Sequence, residues 1–246
     1  MKTKSFMAWS SYHASAATEQ YLYKFLSKHN LERFLNTGSI WFSRADVFGD
    51  KMECVSITDL LEVKPDYDKI EARKKRFLIS CWHLADRESL VLWDTYSETI
   101  ENRRTTAIRF KRTDLIRLIK EYSIRNHMSH FYRTEFTYGK IAYKTLIGAD
   151  TKTLIDQTVT QLAFRKEVAF KYENEYRFVI EQPHLFSYVG YNYTIDKAQN
   201  LPFNIIINPL LNRDQYFPIK KQIEELGFID KLVTSDLAQW LHPELW

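Results

Sequence analysis

The chain has 246 residues, a formal net charge of +4, 45% hydrophobic and 27% charged residues, and only 6 Gly and 6 Pro. Those totals describe an ordinary folded globule of one large domain or two small ones, without long flexible linkers. Cys54 and Cys81 are the only cysteines, which excludes a disulfide framework, supplies no spaced zinc set and fits a reducing, cytoplasmic setting; no apolar run reaches the length of a membrane span, and no apolar signal region follows Lys2 and Lys4.

Residues 1–20, including SSYHASAATEQ, read as a loosely ordered arm, with a short helix as the alternative. Tyr21 to Phe25 reads as the first strand, and Asn30 as the cap of a short helix whose Leu31, Phe34 and Leu35 share one face. Gly38 is placed to end that helix, and Ser39 to Ser43 is the second strand. The segment Arg44 to Cys54 is an acidic loop. The basic run Lys69, Arg73, Lys74, Lys75 and Arg76 reads as a solvated helix face. Phe77 to His83 is mostly apolar and predicts a central strand covered on both faces. Leu92, Trp93 and Tyr96 follow at helical spacing. Thr105 to Phe110 is a strand, then Thr113 or Asp114 caps a helix carrying Leu115, Leu118, Ile119 and Tyr122. His127 and His130 lie three apart without a third ligand nearby and read as ordinary polar residues.

Thr137 to Leu146 reads as one strand, and a helix from Asp150 or Thr151 turns Ile155, Val159 and Leu162 inward. Tyr188 to Ile195 and Phe203 to Pro209 are strands. A helix over 214–226 aligns Ile219, Ile223 and Leu226 and stops at Gly227; a short strand at KLVTS and a turn capped by Ser235 follow. Strands and helices mix without strict alternation. The expected fold is therefore a single α+β domain over 21–246, with a bent or split mixed sheet flanked by helices. Neither a glycine-rich phosphate loop nor a G-x-S-x-G or H-E-x-x-H motif occurs, which disfavours kinase, P-loop, classical hydrolase and zincin chemistry.

The segment Phe164 to Ile180, FRKEVAFKYENEYRFVI, is the densest in charge and aromatics. From Glu173 onward it alternates, so Glu173, Glu175 and Arg177 should share one strand face, with Tyr176, Phe178 and Ile180 on the other. A solvated Glu–Arg ladder and a functional carboxylate pair both fit this pattern.

Four ordered motifs resemble one family. They are LYKF at Leu22–Phe25 with SIWFSRADVFGDKME at Ser39–Glu53, ISCWH at Ile79–His83 with LWDTYSE at Leu92–Glu98, IAY at Ile141–Tyr143, and Lys166 with YENEYRF at Tyr172–Phe178. The family is the bacterial domain of unknown function 2971, and the likeness spans about residues 22–235. Gly49 and Lys51 replace its usual Asn and Pro, and Phe170 stands where Trp is common; Asp50 and Glu53 are retained. The order of strand with aromatic–basic pair, helix, Gly and strand, with a late Glu-x-Glu strand, more distantly resembles ADP-ribosyltransferase folds.

That resemblance implies an enzyme cleaving NAD and transferring ADP-ribose to a nucleic-acid or protein acceptor, in bacterial defence or toxin systems. It implies Glu175 as the catalytic carboxylate, Glu173 as a carboxylate serving the acceptor, and Lys24 as the first-strand group that holds the diphosphate or ribose. Ser80, Trp93, Tyr96 and Arg177 would hold NAD, with Trp93 or Tyr96 as a wall for the nicotinamide; at its helical spacing Trp93 reads equally as core. Two alternatives stay open: a nucleic-acid-binding module using Arg103, Arg104, Arg109, Lys111 and Arg112, and a metal-dependent nuclease using Asp50, Glu53, Glu173 and Glu175.

Overall fold

The computed structural model describes residues 19–56, 59, 66–95, 104–125, 135–145, 159–181 and 187–241. The arm expected over 1–20 lies outside them except for Glu19 and Gln20, as do Tyr96, Arg103, His127, His130 and the 150–158 part of an expected helix. The described elements run β1 (Tyr21–Ser27), α1 (Lys28–Thr37), β2 (Ser39–Arg44), α2 (Tyr67–Lys74), β3 (Phe77–Ala85), α3 (Leu90–Thr95), β4 (Arg104–Lys111), α4 (Arg112–Arg125), β5 (Glu135–Lys140), β6 (Ala142–Lys144), β7 (Arg165–Glu167), β8 (Glu175–Glu181), β9 (Gly190–Thr194), β10 (Phe203–Ile207), α5 (Arg213–Glu225), β11 (Leu232–Val233) and α6 (Ala238–Leu241). The architecture is mixed α+β, with mostly antiparallel strand pairing and flanking helices. Among the described residues no helix is long and apolar enough to cross a membrane.

The chain divides into two compact units. The first takes its described residues from 41–82 and 126–193. Within it β2 pairs antiparallel with β3, β5 pairs antiparallel with β8, and β6 pairs parallel with β7. Its core gathers Ala45, Cys54, Phe77, Ile79, Leu162, Ala163 and Val179. On the other side of β8, Phe178 meets the rings of Trp82, Phe136, Tyr138 and Tyr176. So β8 is buried on both faces, and the face carrying Glu175 and Arg177 is a core face rather than a solvated ladder.

The second unit comprises 15–40, 83–125 and 194–246. Here β4 lies between β1 and β10, antiparallel to both, and β11 joins β10 in parallel. Tyr21, Leu22 and Tyr23 pair with Ala85, Leu84 and His83 at the end of β3. Phe34 of α1 packs edge-on against Phe203, 5.0 Å between centroids, and Tyr23, Phe25, Leu92, Trp93, Ala107 and Ile206 form a second core cluster. Ser27, not Asn30, caps α1: its Oγ accepts from the Asn30 backbone N–H, because the helix starts earlier, at Lys28. Gly38 ends α1 at φ 62°, where a Cβ would lie 1.6 Å from the Asp196 carbonyl oxygen. Backbone conformation and close approach both require glycine there.

Two expectations give way. Thr137–Leu146 is not one strand: the chain breaks at Ile141, whose N–H donates to the Glu175 carbonyl, and β5 and β6 take different partners. The basic run is not simply solvated either. Lys74 is buried, with Nζ donating to the Lys51 carbonyl, and Arg73 pairs with Asp59.

Candidate functional site

The site is built on the reversal between β7 and β8. Lys166 lies on β7, and the chain then winds through a 3₁₀ turn, Val168–Glu173, opened by Glu167 Oε1 accepting from the Val168 N–H. Asn174 adopts φ 40°, in the left-handed region that Asn tolerates better than most residues, and β8 begins only at Glu175. Glu173 is therefore not on the strand, contrary to its alternation. The reversal nevertheless folds its carboxylate back, so that Glu173 Oε2 accepts from Lys166 Nζ at 2.5 Å and Glu175 Oε1 accepts from the same Nζ at 2.9 Å. Glu173 is as deeply buried as Glu175, 5% exposed against 7%.

Arg177, two residues along the same face, extends the cluster. Its Nε donates to Glu175 Oε2 at 2.6 Å, while Nη1 and Nη2 reach Glu53 Oε1 and Oε2 at 2.5 and 3.0 Å. Nη1 also donates to the Ala163 carbonyl. Glu53 belongs to a loop held by other buried cations: Lys74 Nζ donates to the Lys51 carbonyl and Arg165 Nη2 to the Val55 carbonyl. The Asp50 carboxylate closes this loop by accepting from the Met52 N–H, and Cys54 follows Glu53 at φ 56°. Tyr143 Oη accepts from the Glu175 backbone N–H, and Lys166 Nζ lies 4.5 Å from the Phe170 ring centroid.

Three carboxylates thus share two buried cations. With every group ionised the cluster carries one surplus negative charge, and burial penalises it. The proton answering that surplus belongs to Glu173. Burial, and then its hydrogen bond to Glu175, push Glu173 up to about 7 against the pull of Lys166. Burial acts to raise Glu175 too, but the Arg177 charge, the hydrogen bond from Glu173 and Lys166 hold it well below the usual carboxylate range. Burial alone would lower Lys166 and Arg177; their carboxylate neighbours outweigh it and keep both firmly charged. A protonated Glu173 donating to an ionised Glu175 is the resting arrangement below neutrality.

Of the residues singled out in the sequence, Glu173, Glu175 and Arg177 converge here. Ser80 lies in the same unit, buried, with its Oγ accepting from Trp82 Nε1 at 3.2 Å. Lys24 and Trp93 belong to the second unit. Trp93 is fully buried, stacks edge-on against Phe25 and donates from Nε1 to Glu88 Oε2 at 2.9 Å. In the arginine-rich stretch the described cations meet neighbouring side chains. Lys111 pairs with Glu19, Arg112 with the Gln20 side chain, and Arg109 with Asn204. Among the described residues no group of three or more His, Cys, Asp or Glu is arranged to hold a metal ion, and both Glu53 oxygens face Arg177. The sequence grouped Glu53 with Glu173 and Glu175 only as candidate metal ligands, and placed Lys166 only inside a motif; the structure brings them together through Lys166 and Arg177 instead.

No family model, curated protein or solved structure matches the chain.

Proposed function

We infer that the chain is an ADP-ribosyltransferase-like enzyme of the bacterial family that its motifs resemble, cleaving NAD and passing ADP-ribose to a macromolecular acceptor. The observation that carries this reading is two buried carboxyls hydrogen-bonded to one lysine, in surroundings that favour an ionised Glu175 and push Glu173 up to about 7. Environments that push paired carboxyls apart are how one site keeps a fixed negative charge beside a proton acceptor. Residues from the opening motif (Glu53), the IAY strand (Tyr143) and the last block (Lys166, Glu173, Glu175, Arg177) also meet in this one cluster.

In the reaction the bond from ribose C1′ to the nicotinamide nitrogen breaks. Its electron pair leaves with nicotinamide, and positive charge develops on the ribose. Glu175 faces that charge as the carboxylate does in glycoside hydrolysis. An acceptor nucleophile then attacks C1′ and gives its proton to Glu173, whose pKa suits a base near neutrality. Lys166 and Arg177 hold the two carboxylates in place. A cytoplasmic setting belongs to the same reading, with Cys54 and Cys81 as free thiols.

A second reading rests on a specific observation: each Glu175 oxygen already accepts from a cation, and both carboxyls are almost wholly buried. On that reading the cluster is a clamp tying the Glu53 loop to β8. The two separate in one experiment, NAD consumption and acceptor labelling by the parent and by Glu175→Gln, with melting curves. The enzyme reading expects turnover in the parent and a loss of about 10²–10³ in the folded variant. A folded Glu175→Gln chain consuming NAD at the parent rate, or a parent that consumes none, leaves the clamp.

A further inference from the structure

The second unit carries a cation that the proposed chemistry does not use. Strand register places His83, Tyr23, Arg109 and Asn204 side by side on four neighbouring strands. Directly paired antiparallel residues project to the same face, so these side chains form one polar row. The next row is apolar: Phe25, Ala107 and Ile206 belong to the core cluster with Trp93. The row is thus the rim of that core, and its Tyr23 already belongs to the core cluster.

Arg109 stands in the middle of this rim, half-buried. Its guanidinium lies 4.8 Å from the Tyr21 ring centroid, and Nη2 donates to Asn204 Oδ1 at 3.2 Å. Nε is buried without a hydrogen-bond partner. The Tyr23 hydroxyl also faces Arg109, which partly offsets the burial that raises Tyr23 to about 12. Unlike Lys111, which pairs with Glu19, Arg109 has no carboxylate partner among the described residues. The acids on this side, Glu88 and Asp236, act on Tyr23, and Glu88 is occupied by the Trp93 Nε1 and the Asp236 N–H.

A half-buried guanidinium normally finds a carboxylate or phosphate, because its donors are fixed in a planar fork and its charge is poorly solvated. Here ring stacking and an amide hold the fork in place without neutralising it. Since Asn204 Oδ1 is committed to Arg109, the amide presents its NH2 as a donor beside the fork. Diverging donors of this kind suit the three oxygens of a phosphoryl group better than the two coplanar oxygens of a carboxylate.

We propose that Arg109 and Asn204, backed by Tyr21 and Tyr23, form a binding site for the phosphoryl group of a small molecule on the second unit. The proposal is independent of the Glu173–Glu175 reading. Titrating the 246-residue chain with inorganic phosphate, pyrophosphate and acetate, followed by calorimetry and by amide chemical shifts, tests it. Saturable binding of phosphate or pyrophosphate is expected, weakening as salt is raised, with acetate clearly weaker. A pyrophosphate arm tighter than phosphate assigns a diphosphate ligand; equal arms assign a monophosphate. Arg109→Met should lower affinity about tenfold or more, the scale of hydrogen bonds to a charged group. Should Arg109→Met fail to fold, Arg109→Lys and Asn204→Leu take its place, each expected to weaken binding severalfold. Absence of saturable phosphate and pyrophosphate binding, acetate binding as tight as phosphate, or folded variants that bind like the parent would each overturn the site.

Discussion

Each unit buries a glutamate beside a hydrogen-bond donor, but the two compensate its charge differently. In the first unit, Glu53 and Glu175 are met by full cations, Arg177 and Lys166. In the second, Glu88 is met by neutral donors: the Trp93 indole, the Asp236 N–H and the Ser235 hydroxyl. Burial raises Glu88 in spite of those donors, whereas Glu175 is held down in spite of burial. Dipoles lower the cost of a buried carboxyl without removing its preference for a proton; charges remove that preference and create a dependence on every member of the network. The first cluster should therefore fail steeply when one member is lost, and the second by degrees.

The largest effect expected is from Arg177→Met. It leaves Glu53 and Glu175 buried with one cation fewer, and removing one partner of such a pair commonly costs about 3–5 kcal/mol. Denaturant unfolding should show that loss, and Glu53→Leu added to Arg177→Met should recover part of it by removing the orphaned charge. No recovery would mean that packing, not charge compensation, holds the cluster.

Glu173 gives a smaller effect with a definite pH dependence. Its folded value, about 7, lies above its ordinary 4.5, so the native state holds a proton that the unfolded state has released across that window. The resulting stability is fully present below pH 4.5 and is lost as pH rises through 7. Glu175 runs the other way: its folded value is lowered, so its contribution is present above 4.5 and lost on acidification. Glu173→Gln mimics the protonated form. Parent and variant should be similar near pH 5, and the variant should be the more stable at pH 8 by about 1–2 kcal/mol. A variant less stable than the parent at pH 8 would place the proton elsewhere in the cluster.

Much of the fold was legible because it rests on local pattern. The first strand at Tyr21 to Phe25, the alternation from Glu175 to Ile180, the apolar run of β3, the Gly38 stop and the α5 stripe of Ile219 and Ile223 all appear where the sequence puts them. The misses have local causes as well. Asn174 enters the left-handed region, so a strand-like Glu173–Glu175–Arg177 spacing conceals a turn. Ile141 gives its N–H to Glu175, which cuts an apparent single strand in two. The candidate site was only half legible. Glu173, Glu175 and Arg177 are neighbours in sequence, but Glu53 and Arg177 meet across 124 residues, and no periodicity encodes that contact.

The smallest single effect is expected at Glu88, and it gives the sharpest test of the difference between the units when the same substitution, Glu→Gln, is also made at Glu53. Gln at residue 88 keeps one carbonyl oxygen for Trp93 Nε1 or the Asp236 N–H and loses the other acceptor. The Ser235 hydroxyl can rotate to accept from the new amide NH2, because a hydroxyl serves as donor or acceptor. No charged partner is left alone, and since burial already favours the neutral carboxyl, little electrostatic energy is lost. The expected cost is about 1 kcal/mol, that of one exchanged hydrogen bond. Gln at residue 53 presents an NH2 to one arm of the Arg177 fork, where two donors then face each other, and it removes a neutralising charge from a fully buried guanidinium. That cost should be at least twice as large, near the lower end of the range for a broken buried ion pair, about 3 kcal/mol. Urea unfolding of both variants at pH 7 measures the two losses directly, and unchanged m-values would confirm that the same surface unfolds in each. Equal losses would mean that dipoles and charges compensate a buried carboxyl equally well in this protein, and the contrast between its two units would fail.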